Sequence, residues 1–210
     1  MSYGIILIKI LEKKYVDDFL DGNLYLNTDK YFTKIDQVDV ARHDLYEGAD
    51  EAWQIKTFSI QNNIGEYVPI GGLQSLIIYR YSEQKKSNLN LLCMYGYSDR
   101  VVDQFDERNL EFGCTAIIIK DINEFIHRIK LAANKKGKKV SQGPIEYVNC
   151  GYHGKLGPFK KFDKFSYQNE FRFVLEYGNG EPDRLSIGCI RDIVIVRPSS
   201  KIALIPKKSA

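Results

Sequence analysis

Across 210 residues the chain is 44% hydrophobic and 12% aromatic, with six prolines. That balance excludes a disordered or fibrous chain and leaves a globular protein with enough apolar side chains for a core. The net charge of +3 conceals an asymmetry, because from Arg128 to Lys164 ten Lys or Arg face two acids, a local charge of +8, so the remainder sums to −5.

Taken in chain order, Ile5 to Ile10 reads as a strand, and its apolar run is too short for a secretory or membrane-spanning segment. Leu11, Tyr15, Val16, Phe19 and Leu20 then recur at helical spacing until Gly22 stops them, and Asn23 to Asn27 resumes as strand. Thr28 to Glu51 is irregular and of mixed charge, a functional loop or a short helix. Strands are predicted at Trp53 to Ile60, Leu73 to Tyr81, Asn90 to Tyr97, Thr115 to Ile119, Ile145 to Asn149, Glu170 to Tyr177 and Asp192 to Arg197. One long helix starts at Asp121, which caps it with Glu124 completing a capping box. It buries Ile122, Phe125, Ile126 and Ile129 and ends near Gly137. Few helices among many strands, with no regular βαβ alternation and no linker, define an α+β fold. It is expected to be one domain over residues 1–210, built on a mainly antiparallel sheet.

The chain has no H-E-x-x-H, no G-x-S-x-G and no Walker sequence, and its three histidines are far apart. Four cysteines without a C-x-x-C unit argue against zinc and against a disulfide framework, and for a reducing, cytoplasmic setting. The basic block either attracts phosphates, as in a dinucleotide or nucleic acid, or forms a solvated lysine-rich loop. For a nucleic-acid partner the candidate contacts are Lys135, Lys136, Lys138, Lys139, Lys160 and Lys161.

The most site-like stretch is FSYQNEFRFVLEY, Phe165 to Tyr177. Read as a strand, it puts Phe165, Tyr167, Phe171, Phe173 and Leu175 on one face and Gln168, Glu170 and Arg172 on the other. Side chains two apart then stand about 6 to 7 Å from each other. Glu170 is either a surface carboxylate paired with Arg172 or Lys164, or a carboxylate held in a groove. In the second case it can stabilise a sugar that becomes cationic as a glycosidic bond breaks. A second constellation, ARHDLYEG, places Arg42, Asp44 and Glu47 within six residues. It is either a solvated charged loop, or a pyrophosphate site in which the acids hold Arg42 in place. Asp44 and Glu47 also admit a metal-dependent hydrolase. In NLLCMYGYSD, Tyr95 or Tyr97 is a core residue or a stacking surface for nicotinamide or a base.

Four segments, FLDGNLYLNTDKYF, RHDLYEG, CMYGY and KFDKFSYQNEFRFVL, the last followed by LSIGCIRDIVIV, carry a resemblance to a bacterial family related to ADP-ribosyltransferases. More remotely they resemble the DNA-modifying toxins of that class. The resemblance implies a split β-sheet gripping NAD as substrate, with no metal. It also implies that Glu170 is the catalytic glutamate and that Gln168, two residues earlier, selects the acceptor. Arg42 with Tyr31 or Tyr95 would grip the dinucleotide, and the first-strand position that such transferases give to arginine or histidine falls on Lys9. The implied activity is transfer of ADP-ribose to a macromolecule, with nucleic acid a candidate. The alternative is a non-catalytic nucleotide or nucleic-acid binding module on the same fold.

Overall fold

Apolar and β-branched runs become strands and the one capped amphipathic segment becomes the long helix, in a computed structural model that describes residues 5–34, 46, 48–55, 57–70, 75–80, 88–98 and 105–202. The first strands are β1 (Ile5–Leu11), β2 (Asn23–Thr28), β3 (Glu51–Ile55), β4 (Phe58–Gln61), β5 (Tyr67–Ile70), β6 (Ser75–Tyr79), β7 (Asn90–Ser98) and β8 (Thr115–Ile119). There follow β9 (Val140–Pro144), β10 (Glu146–Val148), β11 (Gly154–Lys155), β12 (Lys160–Phe162), β13 (Glu170–Leu175), β14 (Asp183–Ser186) and β15 (Val194–Pro198). Among the described residues the α-helices are α1 (Val16–Leu20), α2 (Asp29–Lys34) and α3 (Ile122–Lys135). The fold is mixed α+β, mostly antiparallel sheet with a few helices.

Strand β7 organises the main sheet. On one edge it pairs with β13, from Leu175 opposite Asn90 to Glu170 opposite Tyr95, and β13 in turn pairs with β9. On its other edge it meets two strands, β2 at Asn90 and Leu91 and β1 from Tyr95 to Ser98. The sheet therefore branches, with β14 continuing the β2 branch and β8 and β15 the β1 branch. Between the branches, at Leu92–Met94, no strand is paired to that edge among the described residues, and the Lys9 ammonium donates to the Cys93 carbonyl at 2.7 Å.

One face of this sheet carries the main core. Helix α3, capped by the Asp121 carboxylate on the Glu124 N–H, lays Phe125, Ile129, Ala132 and Ala133 on it. Phe125 meets Phe173 edge-on at 5.9 Å, and Leu7, Leu24, Leu26, Ile117 and Leu175 close the layer. Over the opposite face a smaller cluster of Ala49, Ala52, Val148, Leu156 and Phe162 packs between the sheets. One part of that layer is the three-stranded sheet β11-β3-β6; another is the parallel pair of β10 and β12.

Several boundaries differ from the sequence reading. Trp53 to Ile60 is two strands, because β3 stays with β6 while β4 enters a hairpin with β5. The Asn62 side-chain oxygen closes that turn by accepting from the Ile64 and Glu66 N–H groups. Phe165 to Tyr177 is not one strand. Residues 163–168 form a 3-10 turn that buries Phe165 and Gln168, three apart, and Asn169 at φ 37 turns the chain into β13. Gln168 therefore leaves the strand row. Strand β9, with Gly143 and Pro144, was hidden by its turn-forming residues, and the short β11, β12 and β14 carry too few apolar side chains to stand out.

Gly22 shows how tightly the ends are joined. It has φ 83, and a Cβ there would lie 1.9 Å from the Gly188 carbonyl oxygen. Gly22→Ala is expected to cost about 2 to 4 kcal/mol in urea unfolding, from the left-handed backbone and the backbone clash together. A loss below about 0.5 kcal/mol, the range of ordinary surface changes, would contradict this packing.

Candidate functional site

The head of β13 builds the site. Antiparallel register places Glu170 opposite Tyr95 and Arg172 opposite Cys93, so all four side chains share the sheet face away from α3. The alternation read from the sequence thus places Glu170 and Arg172 together, but in a closed environment: Glu170 is 7% and Arg172 1% exposed. The reading of Glu170 as a surface carboxylate is corrected accordingly.

Arg172 Nε donates to Glu170 Oε1, Nη2 donates to Oε2 at 3.3 Å, and Nη1 donates to the Pro158 carbonyl at 2.9 Å. From above, β12 delivers the Lys161 ammonium to Glu170 Oε2 at 2.9 Å and to the Gln168 amide oxygen at 3.0 Å. The Glu170 N–H donates to the Tyr147 hydroxyl at 2.9 Å, which ties β10 to the same point. Gln168 is buried beside Glu170, but by way of the 3-10 turn and of Lys161.

The electrostatics follow from this enclosure. Burial alone would raise the Glu170 pKa, but the charges of Arg172 and Lys161 outweigh it and hold the carboxyl well below its usual range. Burial, reinforced by the Glu170 charge, pushes the Cys93 thiol up to about 12 and raises the Tyr147 phenol as well. Tyr95 is pushed up to about 12, first by burial. The cluster is an ionised carboxylate held by two cations, with neutral thiol and phenol groups around it.

The other candidates are dispersed. Tyr95 lies across from Glu170, but its ring packs edge-on to Phe105 at 5.2 Å among Ile8, Ile10 and Tyr97. Lys9 pairs in register with the core residue Ile117, so it lies on the α3 face, opposite to Glu170. Tyr31 is exposed on α2, with Phe32 edge-on at 5.6 Å. Arg42, Asp44 and Glu47 lie outside the described residues, but Tyr46 meets Phe162 of β12 at 4.9 Å and has the Lys164 ammonium 5.1 Å above its ring. Among the described residues no three His, Cys, Asp or Glu side chains group as metal ligands.

Lys161, Cys93 and Tyr147 are the members that sequence reasoning missed. Lys161 was counted within the basic block, and its one sequence signal is the pair of aromatics around FKKF, which marks a lysine lying along a buried face. The block itself is extensively neutralised. Lys136 and Lys138 both bind Asp183, Lys139 lies 3.8 Å from Glu176, and Lys160 pairs with Glu146. Lys135 is exposed.

Comparison of the chain with family models, with curated proteins and with solved structures finds no match. Among the described residues no helix is long and apolar enough to cross a membrane.

Two outcomes follow from the enclosure. Glu170→Gln leaves Arg172 and Lys161 buried without their anion, and unfolding in urea is expected to show a loss of about 3 to 5 kcal/mol. Because the folded pKa is depressed, the pair's contribution is complete above the ordinary carboxylate value of 4.5 and is lost progressively as pH falls below it. Glu170→Gln should therefore flatten the acid limb of the stability curve, and an unchanged limb would contradict the assignment. Labelling with a thiol reagent at neutral pH should modify the exposed Cys114, Cys150 and Cys189 rapidly and the half-buried Cys93, whose thiol burial and the Glu170 charge keep protonated, slowly. Rapid labelling of Cys93 would show that its thiol is not buried against Glu170.

Proposed function

We propose that the chain transfers ADP-ribose from NAD to a macromolecular acceptor, with Glu170 as the carboxylate beside the reacting sugar. One observation carries the reading: Glu170 stands at the head of a paired strand as an anion that its neighbours keep ionised. Breaking the bond from ribose to nicotinamide builds positive charge on the sugar. A fixed negative charge lowers that barrier without reorganising.

Two features of the fold support it. The main sheet branches at Leu92–Met94, and Cys93 of that stretch lies against Glu170. Tyr46, four residues after Arg42 in sequence, packs edge-on against Phe162 of β12, the strand that carries Lys161. On this reading Arg42 and Tyr31 hold the dinucleotide, Tyr95 and Lys9 fix strand β7, and Gln168 sets the position of Lys161 and of the acceptor.

A second reading, a non-catalytic nucleotide or nucleic-acid binding module, is favoured by one observation. Both oxygens of Glu170 already accept from cations, so its charge is partly neutralised before any ligand arrives.

Glu170→Asp separates the two, because it keeps the charge between Arg172 and Lys161 but withdraws it by one methylene. If Glu170 acts on the sugar, nicotinamide release from NAD should fall about 10²-fold or more, with folding retained in thermal unfolding. NAD that binds without nicotinamide release in the unmodified protein, or release that Glu170→Asp leaves unchanged, would remove the catalytic role.

A further inference from the structure

The outer face of the β11-β3-β6 sheet has a composition that its position does not require. Its inner side chains, Ala52, Leu76 and Ile78, pack into the smaller core cluster, and by alternation Trp53, Ile77 and Tyr79 point outward. They are 45%, 38% and 48% exposed. An outward sheet face is ordinarily polar, so aromatic surface gathered there calls for an explanation.

The rings are fixed in place. Trp53 Nε1 donates to the Glu51 carboxylate at 2.7 Å, which sets the indole plane. Tyr79 meets it at 5.8 Å and 66°, and His153 lies on its other side at 5.1 Å and 50°. The Gln54 N–H donates to His153 Nδ1 at 3.1 Å, so the neutral imidazole carries its proton on Nε2. With these contacts made, Trp53 and Tyr79 still keep close to half of their surface exposed.

Size selects the ligand. A five-residue strand is about 17 Å long and three strands span about 10 Å between the outer two, so the face offers on the order of 200 Å². A stable protein interface needs about 800 Å² on each partner. One or two nucleobases need only the area of the rings. Two cations border the face for their phosphates: Lys155, directly across from Glu51 in register, and Arg80, which follows Tyr79.

We propose that Trp53, Tyr79 and His153 form a stacking platform for single-stranded nucleic acid, with Lys155 and Arg80 beside the backbone phosphates. The platform takes up the nucleic-acid reading above only in the choice of ligand. It requires neither NAD nor Glu170.

Trp53 is the single tryptophan of the chain, so its fluorescence reports on this surface alone. Titration with short single-stranded oligothymidylate and oligouridylate, without NAD, should quench it saturably, with apparent affinity falling as salt is added. Anisotropy of a labelled oligonucleotide should show Trp53→Leu weakening binding about ten- to a hundredfold, while Trp53→Phe, which keeps a ring, retains most of it. Tyr79→Ala should weaken it similarly, and duplex DNA, whose bases are already stacked, should quench less. Thermal unfolding of each variant confirms its fold.

Absence of quenching overturns the proposal. Salt-dependent binding that Trp53→Leu and Tyr79→Ala leave unchanged overturns the platform while leaving nucleic-acid binding through other lysines standing. Concentration-dependent self-association that Trp53→Leu abolishes, without quenching by either oligonucleotide, assigns the face to a second copy of the chain and overturns it too.

Discussion

The contact between Glu170 and its two cations is the constraint on which the arrangement around it depends. Arg172 comes from the same strand, Lys161 from β12, and the Tyr147 hydroxyl of β10 receives the Glu170 N–H. Three strands from two layers thus meet at one carboxylate. Charges buried to this degree are tolerated only when each has partners, because the desolvation of an unpaired ion exceeds what packing returns. The paired ammonium has directional partners that apolar side chains such as Phe162 and Leu156 lack, so the cluster constrains how the two layers meet.

The same contact defines what chemistry the site can support. A carboxylate that stabilises a cationic sugar must be ionised and held still, and Glu170 meets both conditions. It meets them by spending both oxygens on cations, which reduces the field available to a ligand. Transfer chemistry therefore requires that Lys161 or Arg172 release a contact as the substrate enters. Binding without chemistry requires no such release. The branching of the sheet at β7 matters here, because Cys93 lies both at the branch and against Glu170.

Much of the scaffold was legible in the sequence, and for identifiable reasons. The strands at Asn90 and Thr115 are continuous apolar runs, and the helix at Ile122 carries its own cap and buried stripe. Alternation alone placed Glu170 beside Arg172. It failed at Gln168, which stands three residues after Phe165, the spacing of a 3-10 turn, and the left-handed Asn169 separates that turn from the strand. For Lys161 the aromatics of FKKF hint at burial, but its partner is a tertiary property: nothing near it in sequence singles out the carboxylate nine residues later. For the same reason the basic block reads as free charge, although Asp183, remote in sequence, holds two of its lysines. Trp53 and Tyr79 read as ordinary strand residues until the pairing with β6 puts them on one outward face.

The central claim is that Glu170 is an anion buried between Arg172 and Lys161, and the most direct measurement is the carboxyl resonance of Glu170 in protein labelled with ¹³C at glutamate, followed by NMR as the pH is lowered. The account predicts that, while the protein remains folded, this resonance shows no titration step near the ordinary value of 4.5 and stays at the position of an ionised carboxylate. A step at or above 4.5 would show a solvated or uncharged Glu170, and would contradict both the ion cluster and the chemistry proposed for it.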